Sequence, residues 1–488
     1  MRKRIIMLVM ALCMTGSALH AQLPFAMPDV ARPAIPDNTV NITSYGAKGD
    51  GTELCTEAFA KAMKALSAKG GGRLVVPAGI WLTGPIQFES HTELHVERGA
   101  LVLFTTDYDA YPYVETIYEG NKTRKKMSPL WAYEKHDVAI TGYGTFDGQG
   151  QAWRPSKKGK FTTAQWKELT SGKGIEMKDV WYPDARRDSL AGKPGKPDVR
   201  RVQNRPVLLE FTRCQRVLLQ DATFSNSPSW NVHPLMCEDV SIIGVSIRNP
   251  WYAQNGDGLD LEACNRAVIH NSTFDVGDDA ICIKSGKNAE GRAWRRPCQN
   301  VWIEGCTVQH GHGGFVIGSE MSSGAKNIYV NNCVFNGTDT GLRMKSTRGR
   351  GGTVENIFIN NIYMTNIAGD AFTFDLYYAN KTANGKGDKE TSAADPVPPV
   401  TEETPCFKNI FVENVVCQGA KRAVYFNGLP EMPLDNLSMK NSLFVAERGA
   451  EMHYAKNITF DNVTIRCSEG ERITTTDVTG FKEKWGHQ

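Results

Sequence analysis

After residue 70, the chain of 488 residues has few stretches in which apolar residues recur at helical spacing. It has no Cys-x-x-Cys motif and no Cys/His spacing typical of a metal site. No segment beyond the N-terminus is long and apolar enough to span a bilayer. These absences argue against a Rossmann-type α/β fold, which needs helical patterns between its strands, and against a zinc domain or an integral membrane protein.

The N-terminus has the pattern of a secretory signal peptide. Arg2, Lys3 and Arg4 precede an apolar run over residues 5–14, and small residues lead to a predicted cleavage after Ala21. The alternative interpretation is a membrane anchor, but the apolar run is too short for one. We therefore expect residues 1–21 to be removed and the mature protein to be secreted or periplasmic.

Charge and cysteine content limit the partners of the mature chain. Three of the 56 Lys and Arg residues lie in the signal peptide, which leaves 53 basic and 53 acidic residues. A net charge of zero argues against binding to nucleic acid or to a membrane surface. Eleven of the 12 cysteines remain, an odd number. Cys306 and Cys333 follow similar β-branched segments, which favours stacked, buried free thiols at these two positions.

Four short polar motifs recur between residues 255 and 346. They are Asn255-Gly256-Asp257-Gly258, Gly277-Asp278-Asp279, Gly311-His312-Gly313 and Arg343-Met344-Lys345-Ser346. Their key residues are 21 to 33 positions apart, and short β-branched segments lie between them. A unit that recurs at this period is typical of a solenoid, in which the strands of neighbouring coils lie about 4.8 Å apart. The motifs should therefore line up on one surface.

The predicted fold is all-β, a right-handed parallel β-helix. From Arg73 onward, short strands alternate with turns, and 46 glycines suit a fold with a tight turn at every corner. Residues 56–68 have helical periodicity and are predicted to form an N-terminal capping helix, which would cover the apolar end of the first coil. We expect a leader over residues 22–39 and a single catalytic domain over residues 40–488.

Two segments interrupt the strand pattern and are predicted to be loop insertions, near residues 150–205 and 380–405. The first has 14 Lys and Arg against six Asp and Glu, and it includes four large aromatic residues: Trp153, Trp166, Trp181 and Tyr182. One interpretation is a solvated surface insertion. The other is a wall of a binding cleft, because long loops on a rigid scaffold often carry recognition.

Three acids within about one coil indicate a catalytic site. Like charges raise one another's pKa, so one of Asp257, Asp278 and Asp279 can stay protonated as an acid while another acts as a base. Glycoside hydrolysis needs this division of labour. Adjacent residues on a strand point to opposite faces, so the strand must end or bulge near Gly277 for both following acids to face a cleft. The alternatives are a Ca²⁺ site or a polar turn.

His312 lies between two glycines, which suits close approach by a ligand; the alternative is a histidine in a surface turn. Arg343 and Lys345 are two positions apart and share one face of a strand. Such a pair could bind a carboxylate or phosphate of a substrate. Alternatively, it could form a salt bridge to Asp257 or Asp279 that holds the site together.

The four motifs resemble the signature motifs of the polygalacturonase family of glycoside hydrolases, family 28. The resemblance extends over roughly residues 40 to 467 and includes Gly46-Ala47-Lys48-Gly49-Asp50-Gly51, Ser227-Pro228-Ser229-Trp230 and Gly318-Ser319-Glu320. Gly256 and Met344 stand where Thr and Ile are common in the family. Residues 150–205 have no clear match to the short family members.

The resemblance implies a right-handed parallel β-helix and hydrolysis with inversion, without a metal or other cofactor. It implies that Asp278 is the general acid, that Asp257 and Asp279 activate the attacking water, and that His312 orients the acid. Arg343 and Lys345 would bind the galacturonate carboxylate. Two further positions are substrate-binding candidates: Tyr378, 33 residues after Lys345, and Asn255 in the first motif.

We therefore expect an enzyme that cleaves α-1,4-linked galacturonic acid in pectic polysaccharide or oligosaccharides, acting as a monomer. The insertion at 150–205 would close one end of the cleft and hold a terminal anionic sugar, which predicts exo-action. The alternatives are an endo-polygalacturonase, a rhamnogalacturonan-directed hydrolase, a Ca²⁺-dependent pectate lyase and a non-catalytic carbohydrate-binding β-helix. Inversion further predicts that the acid and base carboxyl groups lie roughly 6.5–9.5 Å apart.

Overall fold

In this computed structural model, the described residues are 26, 28–172, 174–183, 202–378 and 397–485. The predicted signal peptide, part of the first insertion and most of the second lie outside them. Three helices are α1 (Thr56–Ala68), α2 (Thr163–Ser171) and α3 (Asn288–Trp294), and short 3-10 helices cover Ile42–Tyr45, Tyr108–Ala110, Gly150–Ala152 and Lys158–Lys160. None of the helices in this part of the chain has the length and apolar character needed to cross a membrane.

The strands follow one another along the chain with short turns between them. The N-terminal strands are β1 (Thr39–Asn41), β2 (Gly72–Val76), β3 (Gly79–Thr83), β4 (Ile86–Gln87), β5 (Thr92–Val96), β6 (Ala100–Phe104), β7 (Tyr113–Tyr118), β8 (Asn121–Lys126), β9 (Leu130–Tyr133), β10 (His136–Thr141), β11 (Thr145–Asp147), β12 (Ser156–Lys157), β13 (Ile175–Met177) and β14 (Val180–Tyr182). The middle strands are β15 (Leu209–Thr212), β16 (Gln215–Gln220), β17 (Thr223–Ser225), β18 (Val232–Leu235), β19 (Glu238–Ile243), β20 (Ser246–Arg248), β21 (Leu259–Glu262), β22 (Asn265–His270), β23 (Thr273–Asp275), β24 (Asp279–Lys284), β25 (Cys298–Glu304) and β26 (Thr307–Val308). The C-terminal strands are β27 (Gly313–Ile317), β28 (Ala325–Asn336), β29 (Leu342–Lys345), β30 (Thr353–Thr365), β31 (Asp370–Asp375), β32 (Cys406–Gln418), β33 (Arg422–Asn427), β34 (Leu434–Thr479) and β35 (Lys482–Trp485).

These strands stack in parallel into the faces of a right-handed parallel β-helix, as predicted. The first face, called face 1, is the stack β9, β15, β18, β21, β24, β27, β29, β31 and β33. The second contains β5, β10, β16, β19, β22, β25, β28, β30 and β32. The third contains β6, β11, β17, β20 and β23 and ends in β26 and β28.

The core is a column of apolar side chains that repeats from coil to coil. On the second face, Val240, Ala267, Val301 and Ile328 are aligned in register and fully buried. Helix α1 has the predicted bounds and buries one apolar side, which includes Phe59, and it packs against β2, β4 and β5. It therefore covers the end of the column, where apolar surface would otherwise meet water.

The described cysteines are free, and Cys306 and Cys333 are buried, as the sequence predicts for these two positions. The Cys333 thiol donates to the Asn331 carbonyl at 3.2 Å, and the neighbouring Cys306 thiol together with burial strongly raises the pKa of Cys333. A raised pKa keeps the thiol protonated and unreactive.

The described part of the insertion at 150–205 has secondary structure that was not predicted from the sequence. This part contains α2 and a three-stranded antiparallel sheet of β12, β14 and β13. Helix α2 begins with a capping box formed by Thr162 and Gln165. A second segment that projects from the coils, the antiparallel hairpin formed by β7 and β8, was not predicted from the sequence.

A ladder of asparagine side chains links the coils at one corner. Each amide group donates a hydrogen bond to the side-chain oxygen of the asparagine one coil earlier; the donors are Asn300, Asn327, Asn356, Asn409 and Asn436, and Asn265 is the first acceptor. Asn327 has φ = 55°, a left-handed conformation that asparagine tolerates better than most residues. The asparagines thus both turn the chain and connect neighbouring coils.

We predict that Asn327→Ala lowers the free energy of unfolding by about 2 kcal/mol, because it removes two side-chain hydrogen bonds and strains the left-handed turn. Asn327→Gly should lose less, since glycine adopts positive φ readily. Chemical denaturation of the three proteins should rank their stability as wild type, then Gly, then Ala. Equal stability of the Gly and Ala variants would contradict the role of backbone conformation.

Candidate active site

The predicted site residues meet at the beginning of successive strands of face 1. Asp257 lies two positions before β21, Asp279 is the first residue of β24, and His312 immediately precedes β27. Asp279 is in register with Gly313 of the next coil. Because β24 begins at Asp279, Asp278 is outside the regular strand, which allows both acids to face the same side, as the sequence analysis required.

The three carboxylates are closer together than predicted. One oxygen from each of Asp257, Asp278 and Asp279 lies within 4.8 Å of the other two. The expected separation of 6.5–9.5 Å between acid and base is therefore wrong for this site, because all three acids lie on two neighbouring rungs. Asp257 and Asp279 are buried, and Asp257 Oδ1 is enclosed without a hydrogen-bond partner among the described residues.

Asp279 is held as a carboxylate by two cations of β29. Lys345 Nζ lies 2.6 Å from Asp279 Oδ2, and Arg343 Nη1 lies 3.2 Å from Asp279 Oδ1. Burial alone would raise the pKa of Asp279, but the charges of Lys345, Arg343 and Lys284 outweigh it and hold that pKa well below its usual range. The salt-bridge alternative of the sequence analysis is thus present in the structure.

Asp257 has the opposite electrostatic environment. Burial raises the pKa of this carboxyl well above its usual range, and the nearby charge of Asp278 raises it further. Lys284 opposes the shift but does not cancel it. In the absence of a ligand, the site therefore favours a proton on Asp257 beside a carboxylate at Asp279. This is the unequal protonation that acid–base chemistry needs.

His312 contacts Asp278 through both its side chain and its backbone. Its Nδ1 lies 3.0 Å from Asp278 Oδ1, and its backbone N–H donates to the Asp278 carbonyl at 2.8 Å. The hydrogen bond to Asp278 raises the pKa of His312 despite partial burial. A Cβ at Gly311 would lie 2.8 Å from the same carbonyl, so glycine permits this close approach.

The remaining two predicted substrate-binding residues flank the charged groups. The Tyr378 ring centre is 5.0 Å from Lys345 Nζ and 5.7 Å from the guanidinium carbon of Arg343. Asn255 has φ = 53°, and its side-chain oxygen accepts a hydrogen bond from Arg205 at 2.8 Å. The structure thus brings all eight predicted site residues into one region.

The acid trio has the donors that could hold a metal ion, but its charges do not favour one. Both oxygens of Asp279 already face Lys345 and Arg343, whose positive charges would repel a cation. A second group of possible ligands consists of His91, His136 and Asp137. There both Asp137 oxygens accept hydrogen bonds from Arg216 at 2.7 Å, so this group is equally unsuited to a cation.

A buried ion-pair network beneath the trio was not predicted from the sequence. Lys284 Nζ lies 3.1 Å from Glu320 Oε2 and 3.5 Å from Asp260 Oδ1, and all three residues are largely shielded from solvent. The Lys284 charge lowers the pKa of both Asp257 and Asp279. The sequence signal that could have identified it is Lys284 itself, which alternates with the core residues Ile281 and Ile283 and therefore lies on the outer side of β24.

Two excursions from the coils border the site. In the insertion, Phe161 packs against Tyr252 at 4.8 Å and near Trp251 at 6.2 Å, on the loop that leads to Asp257. In the hairpin β7–β8, Tyr118 Oη hydrogen-bonds to Ser229 Oγ at 2.7 Å.

The tip of the hairpin also meets the start of α3, since the backbone N–H of Lys287 donates to the Gly120 carbonyl. The hairpin therefore crosses face 1 from the coil of Ser229 to the coil of α3.

Comparison with known proteins agrees with this geometry. Residues 191–395 match the family described as Glycosyl hydrolases family 28. An exo-poly-alpha-D-galacturonosidase of Dickeya chrysanthemi is 31% identical over 357 residues, which are 71% of this chain and 58% of the Dickeya protein. The chain thus spans less than two thirds of that relative.

Solved structures extend the similarity over most of the chain. A hyperthermoactive exopolygalacturonase from Thermotoga maritima is 30% identical, with a TM-score of 0.74 over 91% of this chain and 95% of that protein. A family 28 exopolygalacturonase from Yersinia enterocolitica has the same fold, with 21% identity and a TM-score of 0.76 over 91% of this chain and 78% of that protein. With the acid trio in place on face 1, the chain belongs to family 28 of the glycosyl hydrolases.

Proposed function

We propose that the protein is an inverting glycoside hydrolase that cleaves α-1,4-linked galacturonic acid from pectic poly- or oligosaccharides by exo-action. The observation that carries this proposal is the unequal charge state of the trio, with Asp279 held ionised by Lys345 and Arg343 beside a proton-holding Asp257. The substrate class comes from relatives named exo-poly-alpha-D-galacturonosidase and exopolygalacturonase.

Asp278 donates the proton to the leaving oxygen. Asp257 and Asp279 activate the water: the ionised Asp279 accepts its proton, and Asp257 orients it by a hydrogen bond. The contact between His312 and Asp278 supports a role for the histidine in orienting the acid. Inversion is favoured because neither of the other acids is a good nucleophile: both Asp279 oxygens are engaged by cations, and burial favours protonated Asp257. Asn255, Tyr378, Arg343 and Lys345 border the sugar, and the latter two also maintain the charge of Asp279.

Exo-action is supported by the two excursions that border the site. The insertion packs through Phe161 on the loop before Asp257, and the hairpin β7–β8 crosses face 1 on its N-terminal side. A polymer cannot lie across face 1 where the hairpin covers it, so only a chain end can enter from that side. The released product is then galacturonic acid from the non-reducing end.

The pattern over residues 1–21 supports a cleaved signal peptide and a secreted or periplasmic enzyme that acts on plant cell-wall material. The protein works as a monomer, without a metal or other cofactor and without nucleic acid or membrane partners. The cations around Asp279 support the absence of a metal from the mechanism.

The time course on polygalacturonate in the presence of a chelator tests the reaction type. We expect galacturonic acid from the start, little early fall in viscosity, no unsaturated product and, by NMR, the β-anomer of the first-formed sugar. A ladder of intermediate oligomers would rule out exo-action. Loss of activity with the chelator and absorbance from a double bond would indicate a lyase, and retention of the α-anomer would contradict inversion.

We predict that Asp278→Asn lowers turnover at least about 100-fold, because general acid catalysis typically contributes 10²–10⁴-fold. Circular dichroism and the melting temperature should stay those of the wild type. Asp275→Asn is the matched control, since this acid belongs to β23 and pairs with His310 away from the trio. Asp278 is not the general acid if the variant keeps more than about a tenth of the wild-type rate.

Lys345→Met should move the acidic limb of the kcat/KM profile to higher pH. Without the ion pair, burial is opposed by fewer positive charges, so the pKa of Asp279 rises. The carboxylate is then lost at a higher pH as the solution is acidified. Lys326→Met in β28 serves as a control outside the site. An unchanged acidic limb, with only KM increased, would assign Lys345 to carboxylate binding alone.

A further inference from the structure

We propose that Lys125 in the hairpin and Arg205 at the end of the insertion form the pocket that recognises the carboxylate of the non-reducing terminal sugar. The proposal rests on the proposed function, because it assumes an anionic sugar whose chain end enters face 1. Specificity for a uronic acid would then come from the hairpin β7–β8 and the insertion, and not from the cations of β29.

The cations of β29 already have a partner. Lys345 and Arg343 both contact Asp279, at 2.6 Å and 3.2 Å, and Lys284 contacts Glu320 at 3.1 Å. A substrate carboxylate that bound these groups would compete with buried carboxylates of the protein. A separate cation with no such partner would bind the substrate without disturbing the charge of Asp279.

Lys125 is such a cation. The residue is 5% exposed, and its ammonium lies 3.2 Å from the centre of the Tyr118 ring. Within the described parts of the chain, its Nζ has neither a hydrogen-bond acceptor nor an ion-pair partner, although Glu210 and Glu119 are near enough to influence it. Glu210 is instead bonded to the hydroxyls of Thr116 and Ser128. Burying an ammonium group without an acceptor costs free energy, unless a ligand supplies the acceptor.

Arg205 provides the second positive group. Its guanidinium donates to the carbonyls of Val202, Pro228 and Gln254 and to the side chain of Asn255, all neutral acceptors. Nη2 has two hydrogens, and within the described residues only Asn255 accepts one of them, which leaves the other for a ligand. The residue is 7% exposed, so its position is fixed by the protein.

Tyr118 connects these cations to the reacting groups. Its ring packs against Trp230 at 4.7 Å, its hydroxyl hydrogen-bonds to Ser229, and Arg205 donates to the carbonyl of the preceding residue, Pro228. Lys284 Nζ is 4.7 Å from the other aromatic ring, that of Trp230. Tyr118 and Trp230 thus form a continuous aromatic surface between Lys125 and Lys284, the cation beneath the acid trio.

The protonation of Lys125 gives the proposal an independent signature. Burial lowers the pKa of Lys125 to about 7, and the charge of Arg205 lowers it further, while Glu210 and Glu119 oppose the shift. A bound carboxylate would raise this pKa again, so affinity for the anionic sugar falls as the pH rises above about 7. Burial raises the pKa of Tyr118, the remaining titratable group at the ammonium, well above its usual value, so its hydroxyl stays neutral.

The test measures binding by calorimetry in the Asp278→Asn background, so that no turnover is needed. The probes are digalacturonate and its fully methyl-esterified form, which is neutral. Lys125→Met should weaken digalacturonate binding at least about tenfold and leave the neutral dimer unchanged. Lys125→Arg should restore most of the affinity and remove its decline above pH 7. Lys122→Met, an exposed lysine of the same hairpin, is the matched control and should change neither ligand.

An equal loss of affinity for both dimers would mean that Lys125 only supports the hairpin, and a loss below about threefold would also overturn the proposal. A melting temperature equal to that of the parent protein shows that the variant is folded. The outcome is separable from the proposed function: if wild-type enzyme binds digalacturonate through Lys125 but releases no galacturonic acid, only the assigned reaction fails.

Discussion

The parallel register between neighbouring coils is the constraint on which the site depends. Backbone hydrogen bonds fix Asp279 opposite Gly313 and Val316 opposite Arg343, so each polar group has a set height on face 1. Short side chains are therefore sufficient to bring the polar groups of the site together. The same register explains why the three acids are so close, because residues on adjacent rungs are separated by one strand spacing of about 4.8 Å.

Electrostatic balance is the second determinant of the site. Asp257, Asp260, Asp279 and Glu320 are shielded from water together, which would be prohibitive without compensating charge. Lys284, Arg343 and Lys345 supply that charge, but they distribute it unequally. Among the residues that the structure describes, Asp279 has two close cations and Asp257 has none in contact, so neighbouring carboxyls acquire opposite pKa shifts. The position of Arg343 and Lys345 on β29 therefore decides which carboxyl of the trio is ionised.

Much of the fold and the grouping of the site could be predicted from the sequence, because both depend on periodicity. The helix at Thr56–Ala68 and the alignment of Asp257, Asp279 and His312 follow from local patterns. The hairpin β7–β8 could not be predicted in this way, since residues 122–126, four of which are basic, do not resemble a buried strand. The ion pairs of Asp279 join residues 64 and 66 positions apart, and no local pattern identifies such partners.

The hairpin β7–β8 leaves the coils after β6 and returns at β9, so it has no place in the stacking register. Its length and sequence can change without shifting any rung of face 1, whereas an insertion within β21 or β24 would displace an acid. The carboxylate pocket that we propose and the acid trio therefore lie in separable parts of the chain. Mutations confined to this hairpin could therefore change which sugar the protein binds and leave the positions of the three acids unchanged.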